Sequence, residues 1–150
     1  MKILMVCLGN ICRSPLAEGI LRQKCKQKGL GWQVDSAGTG KWHIGNPPDK
    51  RSIAVAQKHG IDISQQKARA FNYSDYENFD LIFAMDTSNK KDILAWALDK
   101  NEEAKVKLIL NEIYPNENRS VPDPYWNDNG FEEVFQMLNK ACDVIIEKYK

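Results

Sequence analysis

The sequence predicts an α/β fold, a doubly wound domain with a four-stranded parallel sheet and helices on both faces. Three observations predict it. Short apolar runs of strand length, such as Ile3–Val6, Leu81–Met85 and Val106–Leu110, alternate with longer segments whose apolar residues recur at helical spacing. Alternation of this kind calls for crossover connections, which bury a parallel sheet between layers of helices. No linker, internal repeat or low-complexity stretch interrupts the 150 residues, so one domain over 1–150 is expected, long enough to bury a sizeable core.

The elements follow in order. Residues 2–7 form the first expected strand. Pro15 suits the first turn of a helix over 15–28, with Leu16, Ala17, Ile20 and Leu21 on its apolar face. A second strand is expected over 32–36 and, after Pro47 and Pro48, a helix over 49–59. Residues 80–85 make the third strand, 87–98 a helix, and 106–110 the fourth strand. The last segment carries Phe131, Val134, Phe135, Leu138, Ala141, Cys142, Ile145 and Tyr149, a sustained helical period.

Composition narrows the function classes. Lys and Arg number 21 against 20 Asp and Glu, a formal net charge of +1, which gives no electrostatic case for a nucleic acid or an anionic membrane as partner. The N-terminal apolar run is too short for a secretory signal, and no stretch approaches a transmembrane helix. A cytoplasmic location is expected, where thiols stay reduced, and a monomer. Cys25 and Cys142 fall on helix faces as packing residues. No Cys-x2-Cys pair or Cys/His cluster suggests a metal, and His43 and His59 are expected to be solvated or capping groups.

The chemistry concentrates in Val6-Cys7-Leu8-Gly9-Asn10-Ile11-Cys12-Arg13-Ser14-Pro15. A thiol ends a strand, a guanidinium opens a helix, and a tight loop joins them. Gly9 and Asn10 tolerate left-handed backbone, which lets successive N–H groups turn inward as an anion nest, and the helix N-terminus adds partial positive charge there. A cysteine so placed is expected to react as a thiolate. Arg13 offers a planar fork matched to two phosphate oxygens. Ser14 can hydrogen-bond the Cys7 sulfur. The Gly38-Thr39-Gly40 stretch hints at a dinucleotide fingerprint, but the third glycine is missing and no helix follows, so it is expected to shape a loop carrying Trp42.

A second segment, Val121-Pro122-Asp123-Pro124-Tyr125-Trp126, sets a carboxylate on a proline-stiffened stretch with two aromatic rings after it. A phosphate ester needs its leaving oxygen protonated, and Asp123 is a carboxylic acid in a position to do so. Asp86 follows the third strand and is expected either to orient Arg13 or to cap the next helix.

With these residues in view, the chain resembles the low-molecular-weight protein tyrosine phosphatases over essentially its whole length. The resemblance rests on Cys7–Ser14, Asp35-Ser36-Ala37-Gly38-Thr39, Trp42, Ala84-Met85-Asp86 with Ser88-Asn89, and Asp123-Pro124-Tyr125. It implies strand order 2-1-3-4, Cys7 as nucleophile, Arg13 binding the phosphoryl group, Asp123 as general acid, and no metal or organic cofactor. It further implies that Leu8, Gly9, Asn10, Ile11, Cys12, Arg13 and Ser14 hold a phosphate or vanadate anion. Asn10 would keep the loop's shape through Ser36, and Leu8, Ile11, Trp42, Tyr125 and Trp126 would line a slot for the ring of a phosphotyrosine protein substrate. Two departures stand out. Many relatives carry a histidine near Gln66, and relatives from animals a second tyrosine at Trp126.

Alternatives are weighed on the same residues. A thiol-linked arsenate reductase of similar fold needs further cysteines near 75–95, and none is there. A phosphoarginine phosphatase of the same family would favour a small polar residue at position 11, where this chain has Ile11. A catalytically silent phosphate-binding module should have lost Cys7, Arg13 or Asp123. Finally, Cys7 and Cys12 share one tight loop, so peroxide is expected to form a reversible disulfide between them.

Overall fold

The computed structural model describes residues 1–150. Four parallel strands, β1 (Lys2–Cys7), β2 (Gln33–Gly38), β3 (Leu81–Ala84) and β4 (Val106–Leu108), lie in the order β2-β1-β3-β4. Six helices surround them: α1 (Arg13–Gln27), α2 (Lys50–Lys58), α3 (Ser74–Asn78), α4 (Thr87–Leu94), α5 (Lys100–Lys105) and α6 (Gly130–Tyr149). The expected fold class and strand order both hold. No helix is long and apolar enough to cross a membrane.

Alternation along the buried strands separates two cores. Ile3 and Met5 of β1, with Leu81 and Phe83 of β3, face α1, α2 and α6. Leu4, Val6, Ile82 and Ala84 point the other way, onto Tyr76 of α3 and Ile93 of α4. Burying an aliphatic or aromatic side chain of this size contributes about 1.5–3 kcal/mol, so both faces of the sheet are driven to cover. Cys25 and Cys142 are buried between α1 and α6, as packing residues should be.

Several boundaries differ from the sequence reading. Helix α1 begins at Arg13, two residues before the expected start, and Pro15 still falls in its first turn, where a missing N–H costs nothing. β2 runs on to Gly38 because its far end pairs with Cys7 of β1. β4 stops at Leu108, and Ile109–Glu112 form a 3₁₀ turn. Ile109 and Leu110 both pack against the α6 side, which a strand's alternation forbids. The helix expected to reach residue 98 ends at Leu94, after which Trp96 turns its ring edge onto Phe71, 6.2 Å between centroids. The short helices α3 and α5 carry no periodic signal in the sequence.

Candidate active site

β1 is an inner strand, and Cys7 stands at its carboxyl end. Residues Leu8–Cys12 wrap from there into α1. Asn10 makes the wrap possible with a φ of 58°, in the left-handed region that asparagine tolerates. Gly9, expected to share that role, does not; its place is set by space, since a Cβ there would come within 3.0 Å of His43 Cδ2. Gly38 is demanded by close approach too, a Cβ there lying 2.7 Å from the Leu8 carbonyl oxygen. None of the backbone N–H groups of Leu8–Cys12 donates to an acceptor within the protein, although the Leu8 and Ile11 carbonyls accept from Gly40 and Asp49 at 2.8 Å each. Unspent donors at a helix N-terminus are the elements of an anion cradle.

Behind the cradle runs a buried chain of hydrogen bonds. Cys7 Sγ lies 3.0 Å from Ser14 Oγ. The Asn10 amide donates to Ser14 Oγ at 2.8 Å and to Ser36 Oγ at 2.9 Å, while its oxygen accepts from the Arg69 backbone N–H at 3.0 Å. With the Asn10 proton filling one side of Ser14 Oγ, the serine's own hydrogen is available to the sulfur. Ser36 in turn donates to Glu18 at 2.6 Å. Burial pushes the Glu18 carboxyl above the ordinary range, against the pull of Ser36 and Arg22. The expected Asn10–Ser36 link is therefore present, and Glu18 and Arg69 extend it beyond what the sequence disclosed. Gln66 donates to the Pro15 carbonyl at 3.2 Å, at the first turn of α1.

Arg13 is only 3 % exposed. Its Nη1 donates to Asp86 Oδ2 at 2.7 Å and to the Val121 carbonyl at 3.0 Å, and neither Nε nor Nη2 is spent on a hydrogen bond within the protein. Burial weakens its charge, but the Cys7 sulfur and Asp86 outweigh that and raise its pKa. Asp86 fills both roles weighed for it, because its other oxygen accepts the Asn89 N–H at 2.7 Å and caps α4. Two NH groups held ready beside a thiol suit two oxygens of a phosphoryl group.

The 121–126 segment is carried to the same place by its backbone. The Val121 N–H donates to the Met85 carbonyl at 2.8 Å, beyond the end of β3. Asp123 then caps a 3₁₀ turn over Pro124–Trp126, its Oδ1 accepting from the Tyr125 N–H at 3.0 Å and its Oδ2 standing 3.9 Å from Arg13 Nη2. A cavity of about 290 Å³ opens between these parts. Cys7, Cys12, Arg13 and Asp123 line it together with Leu8, Gly9, Ile11, Trp42, Tyr125 and Trp126. Asn10, Ser14, Ser36 and Asp86 lie outside the lining, as supports. His43 corrects the sequence reading: it lines the cavity against Gly9. Burial pushes the Cys12 thiol up to about 12, which keeps it protonated. A larger groove, about 480 Å³, runs along α1 between Arg22 and Asp62 and contains no cysteine and no aromatic wall.

The fold is shared with known relatives. A family described as low molecular weight phosphotyrosine protein phosphatase matches residues 2–150. The low molecular weight protein-tyrosine-phosphatase YfkJ of Bacillus subtilis is 40 % identical over 147 residues, covering 97 % of this chain and 93 % of its own. Its crystal structure superposes with a TM-score of 0.92 at 39 % identity, over 99 % of this chain and 93 % of that one. A low molecular weight phosphotyrosine protein phosphatase of Schizosaccharomyces pombe is 42 % identical over 141 residues, 91 % of this chain and 89 % of its own. The crystal structure of a Drosophila arginine phosphatase also superposes, with a TM-score of 0.92 at 34 % identity over 100 % of this chain and 98 % of that one. The chain belongs to the low-molecular-weight protein tyrosine phosphatases, a family of phosphoric monoester hydrolases.

Proposed function

We propose that this chain hydrolyses phosphotyrosine in proteins, and small aryl phosphates, through a phosphocysteine intermediate. The observation that supports it most is one cavity in which the Cys7 thiol, the Arg13 guanidinium and the Asp123 carboxyl meet between aromatic walls. In the first step the Cys7 thiolate attacks phosphorus, and the S–P bond forms as the P–O bond to the phenol breaks. The Asp123 carboxyl proton passes to the departing oxygen, while Arg13 and the cradle N–H groups hold the three phosphoryl oxygens. In the second step the Asp123 carboxylate takes a proton from water, the water oxygen attacks phosphorus, and the S–P bond breaks. The Ser14 hydroxyl donates to the sulfur as it departs. Phosphate leaves and the thiolate is restored. We place the enzyme in the cytoplasm as a monomer; its four free cysteines suit a reducing compartment.

A second substrate reading is favoured by the Drosophila arginine phosphatase, which superposes over this whole chain. Ile11 argues against it, an apolar branched side chain on the cavity wall where that activity would favour a small polar residue. One experiment tests both acid and substrate. A general acid contributes about 10²–10⁴-fold, and most to a leaving group as basic as the tyrosine phenol of pKa about 10. Asp123→Ala is therefore expected to slow intermediate formation severely from a phosphotyrosine peptide and much less from an aryl phosphate with an acidic phenol. Equal slowing of the two would remove the proton-donor role. Faster wild-type cleavage of phosphoarginine or phosphoserine than of phosphotyrosine would overturn the substrate assignment.

A further inference from the structure

Residues 122–129 carry Asp123 and two aromatic rings of the cavity, with Pro124 buried and Asp123 Oδ2 3.9 Å from Arg13 Nη2. Apart from turns within the segment and into Gly130, the hydrogen bond that ties them elsewhere is the one from Arg51 Nη1 to Asp128 Oδ1. The Arg51 guanidinium also lies over the Tyr125 ring, 5.6 Å from its centroid, and over the Phe131 ring at 4.6 Å, both within cation–π range. Its remaining donors are fixed by Asp49: Nε to Oδ1 at 3.0 Å and Nη2 to Oδ2 at 2.9 Å. Asp49 caps α2 and gives its own N–H to the Ile11 carbonyl at 2.8 Å. A continuous path thus runs from the phosphate cradle at Ile11, through Asp49 and Arg51, to the turn that bears Asp123.

We propose that Arg51 is a positioning residue, clamping the 123–128 turn to the phosphate cradle so that the Asp123 carboxyl meets the departing oxygen and Tyr125 closes the wall. The proposal rests on Asp123 being the proton donor. A guanidinium suits the task because its planar fork engages Asp49 on one edge and Asp128 on the other while its face covers the rings, which an ammonium cannot do at once. Arg51 does not touch the reacting atoms. Its loss should therefore cost acid catalysis and leave phosphate binding alone.

The test compares Arg51→Met, Arg51→Lys, Asp128→Asn and Asp123→Asn in single turnovers. One substrate is a phosphotyrosine peptide, the other an aryl phosphate with an acidic phenol, and inhibition by inorganic phosphate is measured beside them. Arg51→Met, which keeps the aliphatic stem, is expected to slow intermediate formation from phosphotyrosine about 10-fold, part of the roughly 10²–10⁴-fold range of a general acid, and the activated ester less than about threefold. The phosphate inhibition constant should not change. Arg51→Lys should fall closer to Met than to wild type. Asp128→Asn weakens the same link by removing its charge at an exposed position, where folding is not at stake, and should show the same selective loss in smaller degree. If Asp123→Asn discriminates between the substrates but neither Arg51→Met nor Asp128→Asn does, the clamp is wrong. A weakened phosphate inhibition in Arg51→Met would also overturn it, by assigning Arg51 to the cradle. If Asp123→Asn itself fails to discriminate, the proton-donor assignment falls first and the clamp with it.

Discussion

Cys7 and Cys12 line one cavity. Burial, together with the charges of Asp49 and Cys7, keeps Cys12 protonated, with a pKa pushed up to about 12. A thiol is the less reactive form, so peroxide is expected to oxidise Cys7 first. The Cys7 sulfenic acid would then condense with the Cys12 thiol, forming the S–S bond and releasing water. Cys12→Ser should leave basal turnover nearly intact but make peroxide inactivation much harder to reverse with a dithiol. Equal recovery of the two proteins would reduce Cys12 to a packing residue. Asp86 and His43 show what single residues disclose in a sequence and what they hide. Asp86 looked divided between a helix cap and an Arg13 partner, and each of its two oxygens takes one role. His43 gave no sign, because its proximity to Gly9 depends on how the 39–48 loop folds back over the cradle, and no local pattern encodes that.

The elements that could be read were those with a period. α6, twenty residues long with one apolar face, and the buried strand β1 announced themselves. α3 and α5, five and six residues long, have too few turns to show a helical period, and their sequences are mostly polar. The ends of β4 and α4 were set by tertiary packing of Ile109, Leu110 and Trp96, which overrides local preference. The docking of α2 on α6 is similarly nonlocal and can be tested. Glu132 in the first turn of α6 accepts from Gln136 at 2.7 Å, from Lys58 at 2.9 Å and meets the His59 ring at 2.9 Å, and His59 stacks on Phe135 at 4.1 Å. These partners, Gln136 foremost, hold the Glu132 carboxyl down at about 2, against an ordinary 4.5. A lowered carboxylate pKa adds stability above the ordinary value that is lost as pH falls through the folded one. Glu132 is well exposed, so water and salt screen the pair, and about 0.5–1 kcal/mol is a fair upper range. In urea unfolding, Glu132→Gln should therefore be less stable than wild type at pH 6, and the difference should shrink from about pH 4.5 downward. A difference constant with pH would mean that packing, not charge, is lost.

The molecule as a whole places the site where its own topology changes direction. From β1 the chain crosses to β2 on one side, then returns past β1 to β3 on the other, and in open α/β sheets ligands bind at the carboxyl ends flanking such a point. Cys7 ends β1, Asp86 follows β3, and Val121 is fastened to Met85 beside them. Parts distant in sequence therefore meet only in the folded state, and an anion bound there is expected to stabilise the fold by mass action. Phosphate at about 100 times its dissociation constant would add about 2.7 kcal/mol. For a chain of this size that is a rise in Tm of roughly 5–10 °C. Cys7→Ser should keep most of the rise while losing turnover, because Arg13 and the cradle N–H groups remain. Arg13→Lys should lose most of the rise, since an ammonium offers no fork to the anion and leaves Asp86 without its planar partner. Because Arg13→Lys also disturbs the ion pair with Asp86, its Tm without phosphate should fall as well, and the quantity that decides is the increment on adding phosphate. An undiminished increment in Arg13→Lys would move phosphate recognition from the guanidinium to the backbone donors alone. A lost increment in Cys7→Ser would mean that the sulfur, rather than the cradle, holds the anion.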